Sequence, residues 1–189
     1  MKKLLTLLLA LLIITPTFAQ KRDITLDDLW QNYTFYPSYI GGFNSMNDGE
    51  YYSTIEKTEK GQEIIKHQFK DGKKVRTLFS SADFDIQRIN NYTFSDDEKQ
   101  LLLSTETEKI YRHSSKSAYY IYNVFTDKLK KLTDDKVMYA TFSPNGEKVA
   151  YVFDNNLYIK NIRSEKITQV TTDGKKNHII NGASDWVYE

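Results

Sequence analysis

Short stretches of alternating apolar and polar residues run along most of the chain, and they recur. Phe43-Asn-Ser-Met-Asn-Asp-Gly-Glu-Tyr51-Tyr52, Phe94-Ser-Asp-Asp-Glu-Lys-Gln-Leu101-Leu102 and Phe142-Ser-Pro-Asn-Gly-Glu-Lys-Val149-Ala150-Tyr151 each read as an aromatic residue, a small polar residue, an Asp/Asn turn, a charge and an apolar strand. The anchoring Phe residues are 51 and 48 positions apart. Alternating strand patterns follow at Ile64 to Phe69, Tyr119 to Val124 and Leu157 to Ile162, and further short strands at Val75 to Phe79, Leu129 to Leu132 and Ile167 to Val170. Each unit therefore predicts a strand, a tight turn, a second strand and a hairpin into two more. Four antiparallel strands in roughly 40 to 50 residues is the size of one propeller blade.

The pattern predicts an all-β fold, a partial β-propeller of about three four-stranded antiparallel blades. A β-sandwich has similar short strands, but the regular long period favours the propeller. Helical spacing shows only at Leu26 to Trp30, opened by Thr25 with Asp27 and Asp28 behind it. Known propellers close with roughly four to eight blades, so three would leave faces and an edge open. The sequence stops at Trp186-Val187-Tyr188-Glu189 inside a predicted strand. It is therefore expected to be the front portion of a longer polypeptide.

Ahead of the repeat, Lys2 and Lys3 precede a run from Leu4 to Ile14 that is apolar apart from Thr6, and Thr17-Phe18-Ala19 offers a small-residue cleavage site. This layout predicts a signal peptide over residues 1–19 and an exported propeller portion over 20–189, in a periplasmic, cell-surface or secreted setting. The apolar run is shorter than the roughly 20 residues a spanning helix needs. With no Cys in the chain, neither a lipid-anchored cysteine nor a disulfide framework is available. The fold must hold by burying apolar surface.

Composition sharpens this reading. The 14 Tyr and 10 Phe, against 8 Gly and 3 Pro, suit a pleated, half-buried sheet. Without Lys2 and Lys3, 24 of the 26 basic residues remain against 25 acidic ones, a near-neutral domain with no basic cluster that would fit nucleic acid. The three His residues, His67, His113 and His178, are scattered, and no Gly-x-Ser-x-Gly elbow is present, so a Ser-His-Asp triad is not expected in this chain. Ligand spacing for a metal and a Gly-rich phosphate loop are both missing from the sequence, so no cofactor is expected. The Asn-x-Thr triplets at Asn32 and Asn91 are read as chance matches, because the short leader is bacterial in style.

Two segments depart from the repeat. Tyr111-Arg112-His113-Ser114 falls between the second and third strands of its unit, where the pattern predicts a simple turn. Arg112 has the planar donor fork that suits carbonyl and carboxylate oxygens. From position alone, a solvated arginine on an exposed hairpin fits better than one aimed into a central cavity. Ser184-Asp185-Trp186-Val187-Tyr188-Glu189 reads, from its chemistry alone, as an ordinary strand with a capped turn.

Taken together and in order, Tyr111-Arg112-His113-Ser114, Tyr119-Tyr-Ile-Tyr122 and Asp185-Trp-Val-Tyr-Glu189 resemble the dipeptidyl peptidase IV family of serine exopeptidases, of prolyl oligopeptidase type. The stretch from Phe142 to Tyr151 is similar to the blade signature of exported propellers, the TolB type included. The resemblance covers about Ile24 to Glu189. It implies an eight-bladed propeller followed by a C-terminal α/β-hydrolase domain, a homodimer when full length, and release of N-terminal X-Pro or X-Ala dipeptides from peptides with a free N-terminus. It implies that Arg112 contacts a backbone carbonyl of the bound peptide, and that Glu189 opens the acidic run whose second and third members bind the free amine. The catalytic Ser, Asp and His would lie beyond Glu189, leaving this chain inactive alone. The alternative readings are a non-catalytic TolB-like propeller that binds a protein partner, and a sibling exopeptidase with different end-selection.

Overall fold

A computed structural model describes residues 23–37, 42–184 and 187. The expected signal peptide and Glu189, with Asp185, Trp186 and Tyr188, lie outside the described residues. The chain divides into two compact units, Met1–Tyr39 and Ile40–Glu189. In the first, α1 (Leu26–Trp30) is a single helical turn where the pattern placed it. Its entry is a capping box: the Thr25 hydroxyl accepts from the Asp28 N–H at 3.1 Å, and the Asp28 carboxylate accepts from the Thr25 N–H at 3.1 Å.

The second unit is built of three antiparallel four-stranded sheets. The first holds β1 (Asn44–Ser45), β2 (Tyr51–Thr58), β3 (Gly61–Gln68) and β4 (Lys74–Ser80). The second holds β5 (Ile89–Phe94), β6 (Gln100–Lys109), β7 (Ser115–Asn123) and β8 (Lys128–Lys131). The third holds β9 (Met138–Phe142), β10 (Lys148–Phe153), β11 (Asn156–Asn161) and β12 (Ile167–Gln169). Every strand pairs with its sequence neighbour, the up-and-down order of propeller blades.

Sheet-to-sheet burial fixes the stacking. Ile64, Leu78 and Phe79 of the first sheet pack against Tyr92, Leu101, Leu103 and Tyr122 of the second. Leu102 and Ile121 pack instead with Val149 and Tyr151 of the third. Consecutive strand residues point to opposite faces, so the run Leu101-Leu102-Leu103 is apolar on both sides because both sides of the middle sheet are covered. A two-layer sandwich has no such central sheet. The three are blades of a partial propeller.

The first turn of each blade has one construction. Asp48, Asp97 and Asn145 each use a side-chain oxygen to accept from the backbone N–H two residues on, at 2.9, 3.2 and 3.2 Å. The residue between is left-handed, with φ of +69° at Gly49, +56° at Glu98 and +68° at Gly146. These equivalences place Ser45, and not Phe43, opposite Phe94 and Phe142: Met46, Ser95 and Ser143 donate their N–H across the same turn. The repeat interval is thus 49 and then 48 residues. Phe43 lies outside β1 and stacks on Tyr52, ring centroids 5.1 Å apart.

Those turns also couple neighbouring blades. Asn47 donates from its N–H to the Glu98 carboxylate at 2.6 Å and from its side chain to the Asp96 carbonyl at 2.7 Å. Gln100 donates to the Gly146 carbonyl at 2.9 Å. The left-handed Glu98 costs some backbone strain that glycine would avoid, but its side chain makes a bond glycine cannot.

Two hydroxyls buried between the first and second blades, those of Ser53 and Tyr92, pair with each other. Tyr92, 1% exposed, donates its hydroxyl to the Gly42 carbonyl at 2.7 Å and accepts from the fully buried Ser53 hydroxyl at 2.7 Å. Burial pushes the Tyr92 phenol above its usual range against the pull of the Ser53 bond. Burial and a 2.6 Å bond to Asp127 push Tyr122 up as well. Replacing Tyr92 by Phe strands the Ser53 hydroxyl in the core, at a cost of about 1–3 kcal/mol. Urea unfolding is expected to show that loss for Tyr92→Phe and a partial recovery for the Ser53→Ala/Tyr92→Phe pair.

Candidate functional site

Opposite the coupled turns lie the hairpins between the second and third strands of each blade. In the first and third blades they are short. The third uses Asp154-Asn155, both left-handed with φ of +44° and +60°, in the manner of a two-residue hairpin loop. In the second blade β6 and β7 run on to Ile110–Ser114. A register shift between Thr105 and Glu108 marks where the extension begins.

The extension is braced along its length. Glu108 pairs with Lys116 at 3.1 Å and Lys136 at 2.7 Å, and Glu106 pairs with Lys136 at 3.4 Å. Lys136 and then Lys116 hold the Glu108 carboxyl below its usual range, and Glu108 in turn raises Lys136. Exposed pairs are weak singly, and here one ammonium serves two carboxylates on the hairpin. The Thr107 and Ser117 hydroxyls bond at 2.7 Å, and Ser117 exchanges backbone bonds with Val137 at 2.9 and 3.0 Å. At the tip the Ser114 carbonyl accepts from the N–H of Ile110 at 3.0 Å and of Tyr111 at 3.4 Å.

Arg112 therefore stands at the apex of a stiffened hairpin, exposed and without an ion-pair partner among the described residues. The same hairpin buries Ser114 to 2% exposure, and its hydroxyl has no hydrogen-bond partner among the described residues.

A second segment, from Thr171 to Ser184, is tied to the β10–β11 turn. The Asn156 carboxamide oxygen accepts from the Thr171 hydroxyl at 3.1 Å and the Gly174 N–H at 3.0 Å. Asn181 donates to the Asn155 carbonyl from its N–H at 3.0 Å and from its side chain at 3.2 Å. Between them Lys175 and Ile179 exchange backbone bonds of 2.8 and 2.9 Å. Gly174 passes so close that a Cβ there would sit 2.4 Å from the Asn155 carbonyl oxygen. These contacts bring Ile180 and Ser184 to the same cavity, about 200 Å³, that Ile110, Tyr111 and Ser114 line from the hairpin.

Of the two segments that broke the sequence repeat, the hairpin contributes Tyr111 and Ser114 to this cavity and the other contributes its first residue, Ser184, while Asp185, Trp186, Tyr188 and Glu189 lie outside the described residues. His67 lies in β3, where its Nε2 meets the Thr54 hydroxyl and the Glu56 carboxylate, both at 3.0 Å. His178 closes the turn of the tethered segment through its N–H to the Lys175 carbonyl at 3.0 Å. Among the described residues no three His, Asp or Glu side chains converge as a metal site. Sequence reading missed Asn156, Gly174 and Asn181, whose partners are 15 to 26 positions away. It also missed the Ser114 hydroxyl, since burial of one serine leaves no local signature.

Blades in up-and-down order, with a long braced hairpin at one end of the second, define the chain as a β-propeller segment. Residues 95–189 match the family described as the dipeptidyl peptidase IV (DPP IV) N-terminal region, and the chain belongs to that family. The crystal structure of Porphyromonas gingivalis dipeptidyl peptidase 4 is similar over 89% of this chain and 24% of its own length, with 39% identity and a TM-score of 0.76. Prolyl endopeptidase FAP of Homo sapiens is 28% identical over 174 residues, 89% of this chain and 21% of that protein. Dipeptidyl peptidase 4 of Felis catus is 38% identical over 105 residues, 53% of this chain and 14% of its own. The chain thus spans under a quarter of the length of these relatives.

Shortening Asn155 contacts tests the tether. Gly174→Ala is expected to speed amide exchange at Lys175, Ile179 and Asn181, while Leu102 and Ile121 in the middle sheet keep their protection. Hydrogen exchange with residue resolution reads both.

Proposed function

We propose that this chain is the substrate-selecting propeller portion of an exported serine-type dipeptidyl peptidase that releases N-terminal X-Pro or X-Ala dipeptides. The observation that carries the reading is the braced hairpin that holds Arg112 at its apex, unpaired among the described residues, while its neighbour Tyr111 lines one cavity with Ile180 and Ser184. Membership of the dipeptidyl peptidase IV N-terminal family supports it.

In this reading the guanidinium fork of Arg112 donates to a backbone carbonyl of the peptide. Carboxylates that follow Glu189 accept charge-assisted bonds from the peptide's free ammonium. Two fixed points a short distance apart measure two residues from the end and bring a single scissile bond to the nucleophile. That nucleophile, with its His and Asp, belongs to an α/β-hydrolase domain downstream, the full-length protein acting as a homodimer. Export rests on the leader at residues 1–19. No helix among the described residues is long and apolar enough to cross a membrane.

The test is Arg112→Ala in the full-length protein with a Gly-Pro reporter. Loss of a charged hydrogen bond is worth roughly 1.5–3 kcal/mol, about tenfold to a hundredfold in kcat/KM. The thermal midpoint is expected to stay put, since Arg112 is exposed at a hairpin tip. Parental turnover by the variant would remove Arg112 from the site. As a control, the 189-residue chain alone is expected to leave the reporter intact, and turnover by it would place the nucleophile within these residues.

A further inference from the structure

The sequence sets a glycine directly after Asp48, Asp71, Asn145, Asp173 and Asn181. Such pairs carry latent chemistry. With no Cβ to obstruct it, the glycine nitrogen can reach the side-chain carbonyl carbon of the residue before it and close a five-membered succinimide. Asparagine closes faster than aspartate, because a neutral carboxamide is a better electrophile than an ionised carboxylate. The attack needs a glycine N–H that is free and a carboxamide able to turn towards it.

Four of these glycines are held. The N–H of Gly49 donates to the Met46 carbonyl at 3.1 Å, that of Gly72 to Gln68 at 2.9 Å, that of Gly146 to Ser143 at 2.8 Å, and that of Gly174 to the Asn156 side chain at 3.0 Å. Asn145 is held at its side chain too, its Oδ1 accepting from the Glu147 N–H at 3.2 Å and the Ser143 hydroxyl at 2.7 Å. The N–H of the exposed Gly182, by contrast, donates to no described residue. The Asn181 carboxamide is held only through its nitrogen, which donates to the Asn155 carbonyl at 3.2 Å and the Asp173 carboxylate at 3.0 Å. Both bonds belong to the tether of the 171–184 segment, and both break whenever that segment lifts.

We propose that Asn181 is a site of spontaneous deamidation that releases the tethered segment. The Gly182 nitrogen gives up its proton and bonds to the Asn181 Cγ. The bond from Cγ to the amide nitrogen breaks, and ammonia leaves with that proton. Water then opens the succinimide to aspartate or isoaspartate, so water is the one reagent consumed. Where the amide donated to Asp173, a carboxylate now faces a carboxylate. Where it donated to the Asn155 carbonyl, two acceptors face each other. Isoaspartate also adds a methylene to the main chain beside the Asn181 N–H that bonds Asn155. The step is irreversible, and it frees from the β10–β11 turn the segment that runs into residue 185. It needs no peptidase activity, so its test stands apart from that of the proposed function.

The full-length protein, held in mildly alkaline buffer, is sampled over time by peptide mapping with mass spectrometry. Conversion of the Asn181 amide to the acid, as a mixture of aspartate and isoaspartate, is expected while Asn145 stays intact. In urea both asparagines are expected to convert at similar rates, since each then precedes an unheld glycine. Gly174→Ala, which crowds the Asn155 carbonyl, should speed conversion of Asn181 and leave Asn145 alone. The gain expected is roughly fivefold, the change that one lost hydrogen bond makes in the open population. Asn181→Asp should speed amide exchange at Lys175 and Ile179 while Leu102 keeps its protection. An Asn181 that persists in the folded protein, or an Asn145 that converts as fast, would overturn the site. Unequal rates in urea would assign the preference to local sequence and overturn the structural argument. An unchanged rate in Gly174→Ala would contradict the route through tether opening, and parental exchange in Asn181→Asp would contradict release of the segment.

Discussion

Leu101, Leu102 and Leu103 point alternately to the two faces of the middle sheet, and both faces are covered: Leu101 and Leu103 by the first blade, Leu102 by the third. With no disulfide available, this burial is what holds the blades in register. Tyr92 reinforces it, since its hydroxyl bonds across to Ser53 and Gly42 of the first blade. Everything that projects from the second blade, the Arg112 hairpin included, inherits its position from those contacts.

The two ends of the blades do different work. At one end the Asp/Asn turns are compact and bond to each other, Asn47 to Glu98 and Asp96, and Gln100 to Gly146. These bonds lock that end of the blades together. At the other, β6 and β7 outrun their neighbours, and Lys136 clamps the extension through Glu106 and Glu108. Elements whose own geometry is fixed hold their side chains precisely, and this end places an arginine on such an element. The first-blade and third-blade hairpins, by contrast, are minimal.

Most of the architecture was legible from periodicity. The predicted strands from Ile64, Val75, Tyr119, Leu129, Leu157 and Ile167 all appear, with ends shifted by up to a few residues. The short helix at Leu26–Trp30 appears with the cap that Thr25 announced. Phe43 misled because an aromatic residue before an Asn/Asp turn looks like Phe94 and Phe142. Only the turn's own hydrogen bonds show that Ser45 occupies that register position. Of the site, the hairpin at 111–114 was visible as an interruption of the repeat. The tether through Asn156, Gly174 and Asn181 was not, because each partner is brought in by folding and no local spacing encodes it. The braces Lys136–Glu108 and Thr107–Ser117 were hidden for the same reason.

The account stands or falls on what the apex of the hairpin touches. The most direct measurement is a crystal structure of the full-length protein with a peptide whose scissile amide is replaced by an uncleavable bond. A guanidinium nitrogen of Arg112 within hydrogen-bond reach of a peptide carbonyl, about 2.7–3.2 Å, is the predicted result. A peptide held elsewhere, with Arg112 still in solvent, would contradict it.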